Sequence, residues 1–278
     1  MTRRPGKGRR QIALKDRLAP VLISLVSVVV VFGAIAFFVG SAEQWPRIQN
    51  QFFSVEAMLE AAPGVARGFL VSLQIWLISL VCIGIWALVL AIFRAMSGPW
   101  FAPLRVFAIV YVDLFRGLPA LLLVLLFGFG IPALNLPGLP KEGLFWGGVA
   151  LILSYSAYAT EVYRSGIEAV HEGQGMAAKA PGLTQWQTLR YAILPQALRN
   201  VVPAMLNLVV ALQKDVALLS VLGVRDAVRE AQIYTARTFN YSSLVVAAIL
   251  FLLATIPLAR LTDHLQRRDR QRRLQGAK

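Results

Sequence analysis

Apolar residues in this chain come in long unbroken runs rather than in the strict alternation of half-buried strands. The first runs from Ala19 to Val39, the second from Val65 to Phe93, and the fourth from Leu144 to Tyr163. A third, Leu104 to Ile131, carries Asp113 and Arg116; a fifth, Val201 to Leu222, carries Lys214 and Asp215; a sixth covers Leu244 to Leu261. About 20 apolar residues suffice for a helix to cross the hydrocarbon of a bilayer. Backbone groups must be paired internally there, so such runs predict helices rather than a barrel. The expected fold is an all-α membrane protein with about six transmembrane helices.

Composition agrees. The chain has 278 residues, 57% of them hydrophobic and 15% charged, and a mean hydropathy of +0.63. About 25% charged residues is usual for a soluble domain. The net charge of +14 sits mostly at the ends. Arg3, Arg4, Lys7, Arg9, Arg10, Lys15 and Arg17 precede the first run, and Arg267, Arg268, Arg270, Arg272, Arg273 and Lys278 follow the last. Basic tails beside apolar spans are retained in the cytoplasm, which predicts both termini cytoplasmic and an even number of crossings. This placement argues against a nucleic-acid partner, which would require a basic face on a folded module. The opening run is too long for the core of a cleaved signal peptide, so a retained first helix is expected.

These patterns divide the chain into a basic tail (1–18), a first transmembrane helix with an external loop from Gly40 to Pro63 (19–63), a main membrane domain (64–265) and a second basic tail (266–278). Residues 223–240 are expected as an external segment. Cys82 is the single cysteine, so an internal disulfide is ruled out. His171 and His264 stand alone, which gives no metal-ligand spacing. The sequence has no GxxxxGK[ST] phosphate loop and no nucleophile–base pattern, so neither a bound cofactor nor enzymatic activity is expected.

Charges inside a bilayer cost at least about 2.5–3.5 kcal/mol and must face a partner or a wet cavity. Asp113 and Arg116 are one helical turn apart, as are Glu161 and Arg164, and local ion pairs are one explanation. The other is a polar lining for a zwitterion, for which Tyr158, Glu161, Arg116, Lys214 and Asp215 have suitable chemistry. Pro119, Pro203 and Pro257 lie in or beside spans, where each removes a backbone donor and permits a kink.

The largest polar interruption expected on the inner side, from His171 to Asn207, reads HEGQGMAAKAPGLTQWQTLRYAILPQALRNVVPAMLN. Met176 to Lys179 favour helix, Pro181-Gly182 breaks it, and Thr184 is placed to cap a second helix. The reading is a helix–turn–helix bracket on the membrane face. It suits either docking to a soluble partner or lying flat as an interfacial amphipathic helix.

This segment resembles the EAA motif of ATP-binding-cassette importer permeases. Met176-Ala177-Ala178 stands for EAA, Gly182 is the central glycine, and Ile193-Leu194-Pro195 closes the motif. YVDLFRGLPALLLVLLFGFGIP (111–132), SAYATEVYRSGI (156–167) and the Lys214-Asp215 pair followed by LLSVLGV resemble the polar amino-acid branch of the same family. Met176 replaces the usual glutamate, and Val216-Ala217 replaces a Thr-Ser pair. The resemblance spans about residues 64–265. It implies a type I ABC importer permease fold and a permease subunit moving a polar amino acid inward. It implies coupling to a cytoplasmic ATPase through Gln174, Gly175, Met176, Ala177, Ala178, Gly182, Leu183, Leu194 and Pro195. ATP would be bound by that partner. An extracytoplasmic solute-binding protein and a second permease chain, identical or related, are the other implied partners, with lipid around the spans. An ion-coupled secondary carrier, or a non-transporting scaffold with the same fold, are the alternatives the residues leave open.

Overall fold

The computed structural model describes residues 14–96, 98–170, 184, 187, 190–191 and 194–276. The chain divides into two compact units, residues 1–53 and 54–278.

The first unit holds α1 (Leu14–Gly40) and α2 (Trp45–Phe52). The 27 residues of α1 span about 40 Å at 1.5 Å per residue, enough for the hydrocarbon core. Its valines, leucines and phenylalanines from Leu22 to Val39 are exposed all round the helix, as lipid contact requires. The loop expected from Gly40 to Pro63 is largely helical instead. Trp45–Phe52 forms a short helix with proline in its first turn, and the next helix begins well before Pro63.

That helix, α3 (Val55–Ala95), opens the second unit. Ser54 caps it by accepting a hydrogen bond from the Ala57 amide at 3.3 Å, and Glu56 places a negative charge at its N-terminus. Proline lacks an amide donor, yet Pro63 lies inside α3 without ending it. Polar and apolar positions alone do not announce this continuity.

A 3-10 turn (Pro99–Phe101) leads into α4 (Ala102–Gly117). The third apolar run is not one span. Leu118, extended at φ −101° and ψ 139°, precedes Pro119, which disfavours helix in the residue before it. The chain restarts as α5 (Ala120–Leu125), passes through a π-helical turn (Leu126–Gly130) and ends in α6 (Ile131–Ala133). Segments Pro99–Gly117 and Ala120–Ala133 meet at 102°. After α7 (Gly143–Glu168) come α8 (Leu194–Asp215), a 3-10 turn (Val216–Leu222), α9 (Ala227–Thr238) and α10 (Ser242–Gly276). The segment expected to face outward, 223–240, is mostly α9, capped by Asp226, whose carboxylate accepts from the Arg229 amide at 2.8 Å.

Four helices among the described residues are long and apolar enough to cross a membrane, five if the bent pair counts as one span. The fourth expected span, α7, is 26 residues long but owes its length to serines, tyrosines and Glu161 as much as to aliphatic residues. Those polar side chains are accommodated by protein. Ser154, Tyr155, Ser156 and Thr160 are buried, and α7 packs on α3, α4, α5 and α8. The main core joins Ile83 and Ala87 of α3, Leu123 and Val124 of α5, Leu151 and Ala159 of α7 and Leu212 of α8.

Small residues let these helices approach, the usual solution in lipid, where hydrophobic burial gives little drive to association. A Cβ on Gly166 of α7 would lie 2.3 Å from Val201 Cγ2 of α8. A Cβ on Gly68 of α3 would lie 2.5 Å from the Asp226 carbonyl carbon and oxygen, so only glycine permits α3 to touch the start of α9.

A candidate substrate pathway along α7

The polar residues of α7 are presented one after another toward α8, α4 and α3. At one end, the Tyr155 hydroxyl donates to Asp215 Oδ2 at 2.7 Å, tying α7 to the last residue of α8. One turn on, the Tyr158 ring lies 6.3 Å from that of Tyr155, inclined by 56°. The Arg116 guanidinium covers the Tyr158 ring, with Cζ 5.6 Å from its centroid, a cation–π arrangement. The Tyr158 hydroxyl in turn approaches the Arg116 carbonyl at 3.4 Å.

The row ends at Glu161. Its carboxylate is only 17% exposed and gathers guanidinium groups from three helices: Arg94 of α3, Arg116 of α4 and Arg164 of α7. Arg94 pairs with Oε1. Arg164 Nη2 is 2.8 Å from Oε2, with its Nε donating to the same oxygen at 3.0 Å. Arg116 Nη1 stands 3.8 Å from Oε2. Arg164 also pairs with Glu168. Three guanidinium groups thus face two carboxylates, Glu161 and Glu168, so the cluster keeps a net positive charge and favours an anionic group nearby.

Of the residues singled out in the sequence, Tyr158, Glu161 and Arg116 therefore meet directly, and Asp215 joins them through Tyr155. Lys214 does not. It is exposed, and among the described residues no carboxylate lies within the 4.0 Å of an ion pair. The local pair of Glu161 with Arg164 forms, whereas that of Asp113 with Arg116 does not. Asp113 is exposed, and Arg116 turns to Glu161 because that carboxylate is the better shielded partner.

Two members of the row were not anticipated. Tyr155 carries no charge, and nothing in its spacing reveals that α8 ends opposite it. Arg94 sits at the end of an apolar run, where a basic residue is expected merely to face the cytoplasm. Its signal was a neighbour it shares with Arg164, which only the tertiary structure supplies.

The bracket fares differently. Gln174, Gly175, Met176, Ala177, Ala178, Gly182 and Leu183 lie outside the described residues, and the side chains of Leu194 and Pro195, at the start of α8, are likewise not described. The expected cap at Thr184 is present. Its hydroxyl accepts from the Gln187 amide at 3.3 Å, and Gln187 Oε1 accepts from the Thr184 amide at 2.9 Å, a reciprocal capping box.

Outside the spans, burial pushes the carboxyl of Asp226 up to about 6 from an ordinary 3.8, against the backbone amides that favour its charged form. One of its oxygens, Oδ2, is buried without a partner. Among the described residues no cluster of metal-ligating side chains occurs.

Comparison with known proteins places this geometry. Residues 87–271 match the family described as binding-protein-dependent transport system inner membrane component. The glutamate/aspartate import permease protein GltK of Escherichia coli O6:H1 is 32% identical over 78% of this chain and 98% of its own length. The arginine transport system permease protein ArtQ of Bacillus subtilis is 32% identical over 70% of this chain and 87% of its own. A crystal structure of an amino acid ABC transporter with histidines superposes with a TM-score of 0.71 at 29% identity, covering 77% of this chain and 98% of that one. The inward-facing MetNI methionine ABC transporter shares the fold, with a TM-score of 0.58 at 17% identity. The matched region contains α7, the whole polar row and the bracket, and the chain therefore belongs to the family of binding-protein-dependent inner membrane components, the permease subunits of ATP-binding-cassette importers.

Proposed function

We propose that this chain is the membrane permease subunit of an ATP-driven importer of a polar amino acid, and that the row Asp215–Tyr155–Tyr158–Arg116–Glu161 lines its pathway. The observation that carries the reading is the continuity of that row along α7. An amino-acid zwitterion requires an acceptor for its ammonium and a cation or donor for its carboxylate. Asp215 and the tyrosine hydroxyls offer the first, Arg116 the second. The groups are already partly paired with one another, which keeps binding weak enough for release. The names of the relatives, several of them amino-acid import or transport permeases, support the substrate class.

In this reading both termini lie in the cytoplasm, six spans cross the membrane with α7 among them, and the segment Gln174–Pro195 docks on the cytoplasmic ATPase subunits. Two permease chains form one pathway, and an extracytoplasmic solute-binding protein delivers substrate to it. ATP binding and hydrolysis belong to the partner, so this chain performs no bond chemistry. Glu161 ties α3, α4 and α7 together, so that movement of the bracket between α7 and α8 acts on a braced bundle.

The test is reconstitution of the chain with its ATPase and binding protein in liposomes, with labelled amino acids outside and ATP inside. Uptake that requires ATP and persists when ionophores abolish the membrane potential is expected. Uptake that follows the potential without ATP would instead identify an ion-coupled carrier, and ATP hydrolysis with no uptake a scaffold.

A further inference from the structure

Where α3 and α7 end and α4 begins, a cavity with about 350 Å³ of free space opens beside the Glu161 cluster. Three arginines line it, Arg94, Arg105 and Arg164, together with the apolar residues Ala91, Ala95, Ile109 and Ile167. Glu168 stands at its edge, already paired with Arg164. Arg94 and Arg164 are held by Glu161. Arg105 is different. Its Nη2 donates to the Gly98 carbonyl at 3.0 Å, its Nε is buried without a partner, and among the described residues no carboxylate lies within ion-pair distance of it. Arg105 therefore carries a charge that no carboxylate among the described residues answers, and as a residue lining the cavity it is open to an anionic group bound there.

The lining combines two chemistries. Guanidinium forks match the oxygens of a phosphate, bidentately and without deprotonating. Ile109 and Ile167 are exposed and continue the apolar face of the spans, as an acyl chain beside a headgroup requires. A soluble anion has no use for that second feature. In the orientation proposed above, on which this inference rests, the cavity faces the cytoplasmic leaflet, where anionic lipids gather and basic pockets between helices hold their headgroups.

We infer that this cavity is a binding site for the phosphate of an anionic phospholipid, with Arg105 as the residue committed to it and Arg94 and Arg164 as the supporting cations. The bound lipid supplies the negative charge that Glu161 and Glu168, already engaged with Arg94, Arg116 and Arg164, do not supply to Arg105.

The purified full-length chain, in neutral detergent, is titrated with dioleoyl phosphatidylglycerol and retained lipid is counted by native mass spectrometry. Dioleoyl phosphatidylcholine and inorganic phosphate serve as parallel probes. Wild-type protein is expected to retain phosphatidylglycerol preferentially. Arg105→Gln is expected to weaken retention about fivefold, as loss of one basic residue near a lipid surface predicts, while Arg105→Lys, which keeps the charge but not the fork, is expected to lose less. Circular dichroism of each variant separates lost binding from lost fold. Equal retention of the two lipids by wild type, unchanged retention in Arg105→Gln, or displacement of the lipid by inorganic phosphate alone would overturn the proposal. Failure of the importer reading shows up separately, as absent uptake with lipid counts intact.

Discussion

Replacing Glu161 by glutamine removes one charge and leaves three. The variant is nearly isosteric, so packing is unchanged and the consequence is electrostatic. Arg94 and the Glu161 carboxylate are 19% and 17% exposed, which places their interaction between a surface pair and a buried one. Breaking a fully buried pair costs about 3–5 kcal/mol, and an exposed pair about 0–1 kcal/mol. Arg116, at 43% exposed, can turn to solvent and adds little. Arg164 keeps Glu168. The expected loss is therefore about 1–3 kcal/mol, most of it from Arg94. For a chain of this size that corresponds to roughly 2–10 °C in Tm, read by thermal unfolding in detergent. If the cost lies in an unpaired Arg94, then Arg94→Gln added to Glu161→Gln must recover part of it, giving a coupling energy of about 0.5–3 kcal/mol. A Tm unchanged within about 1 °C, or strictly additive losses in the double variant, would refute the view that Glu161 braces α3 against α7.

Tyr155→Phe should cost about 1–2 kcal/mol, because it leaves the half-buried Asp215 carboxylate without a donor, and in reconstituted vesicles it should lower uptake more than it lowers Tm; equal wild-type uptake would remove Tyr155 from the pathway. Gly68→Ala forces a methyl group to within 2.5 Å of the Asp226 backbone and should destabilise by about 1–3 kcal/mol through displacement of α9 from α3, with a fully stable variant showing that this approach is not tight. Asp226 takes up a proton on folding between pH 3.8 and about 6, so the wild type should be most stable below that window and lose up to about 3 kcal/mol as pH rises through it. Asp226→Asn keeps the helix cap and should abolish that slope in a Tm series against pH; a slope that survives would assign it to another group.

Much of the architecture could be read from the chain because lipid imposes a simple rule, that backbone groups pair internally and side chains facing lipid are apolar. The run from Leu22 to Val39 holds no charge, and that from Leu244 to Leu261 holds only Arg260 near its end; both form helices as expected. Legibility failed where proline and burial compete. Pro63 lies within α3, while Pro119 breaks the next run, although each interrupts a hydrogen-bond ladder in the same way; the difference lies in Leu118, whose extended backbone lets the chain turn by 102°. The candidate site was half legible. Charges in apolar runs must find partners, which identified Glu161, Arg116 and Asp215. Which partner each one finds depends on helix packing between distant parts of the chain, as in the contacts of Arg116 with Glu161 and of Ala87 with Thr160. Lys214, adjacent to Asp215, turned out to face outward because neighbours on a helix point about 100° apart.

The central claim is that the row along α7 carries the substrate, and labelling of single cysteines tests it most directly. In a Cys82→Ala background, cysteine is placed at 162 or 211, one helical turn from Tyr158 and Asp215, with Lys141→Cys in an exposed loop as control, and each is reacted with a charged thiol reagent in the assembled complex. The transported amino acid is expected to slow labelling at 162 and 211 and to leave labelling at 141 unchanged. Labelling at 162 and 211 that is indifferent to substrate, in a complex that still transports, would contradict the claim.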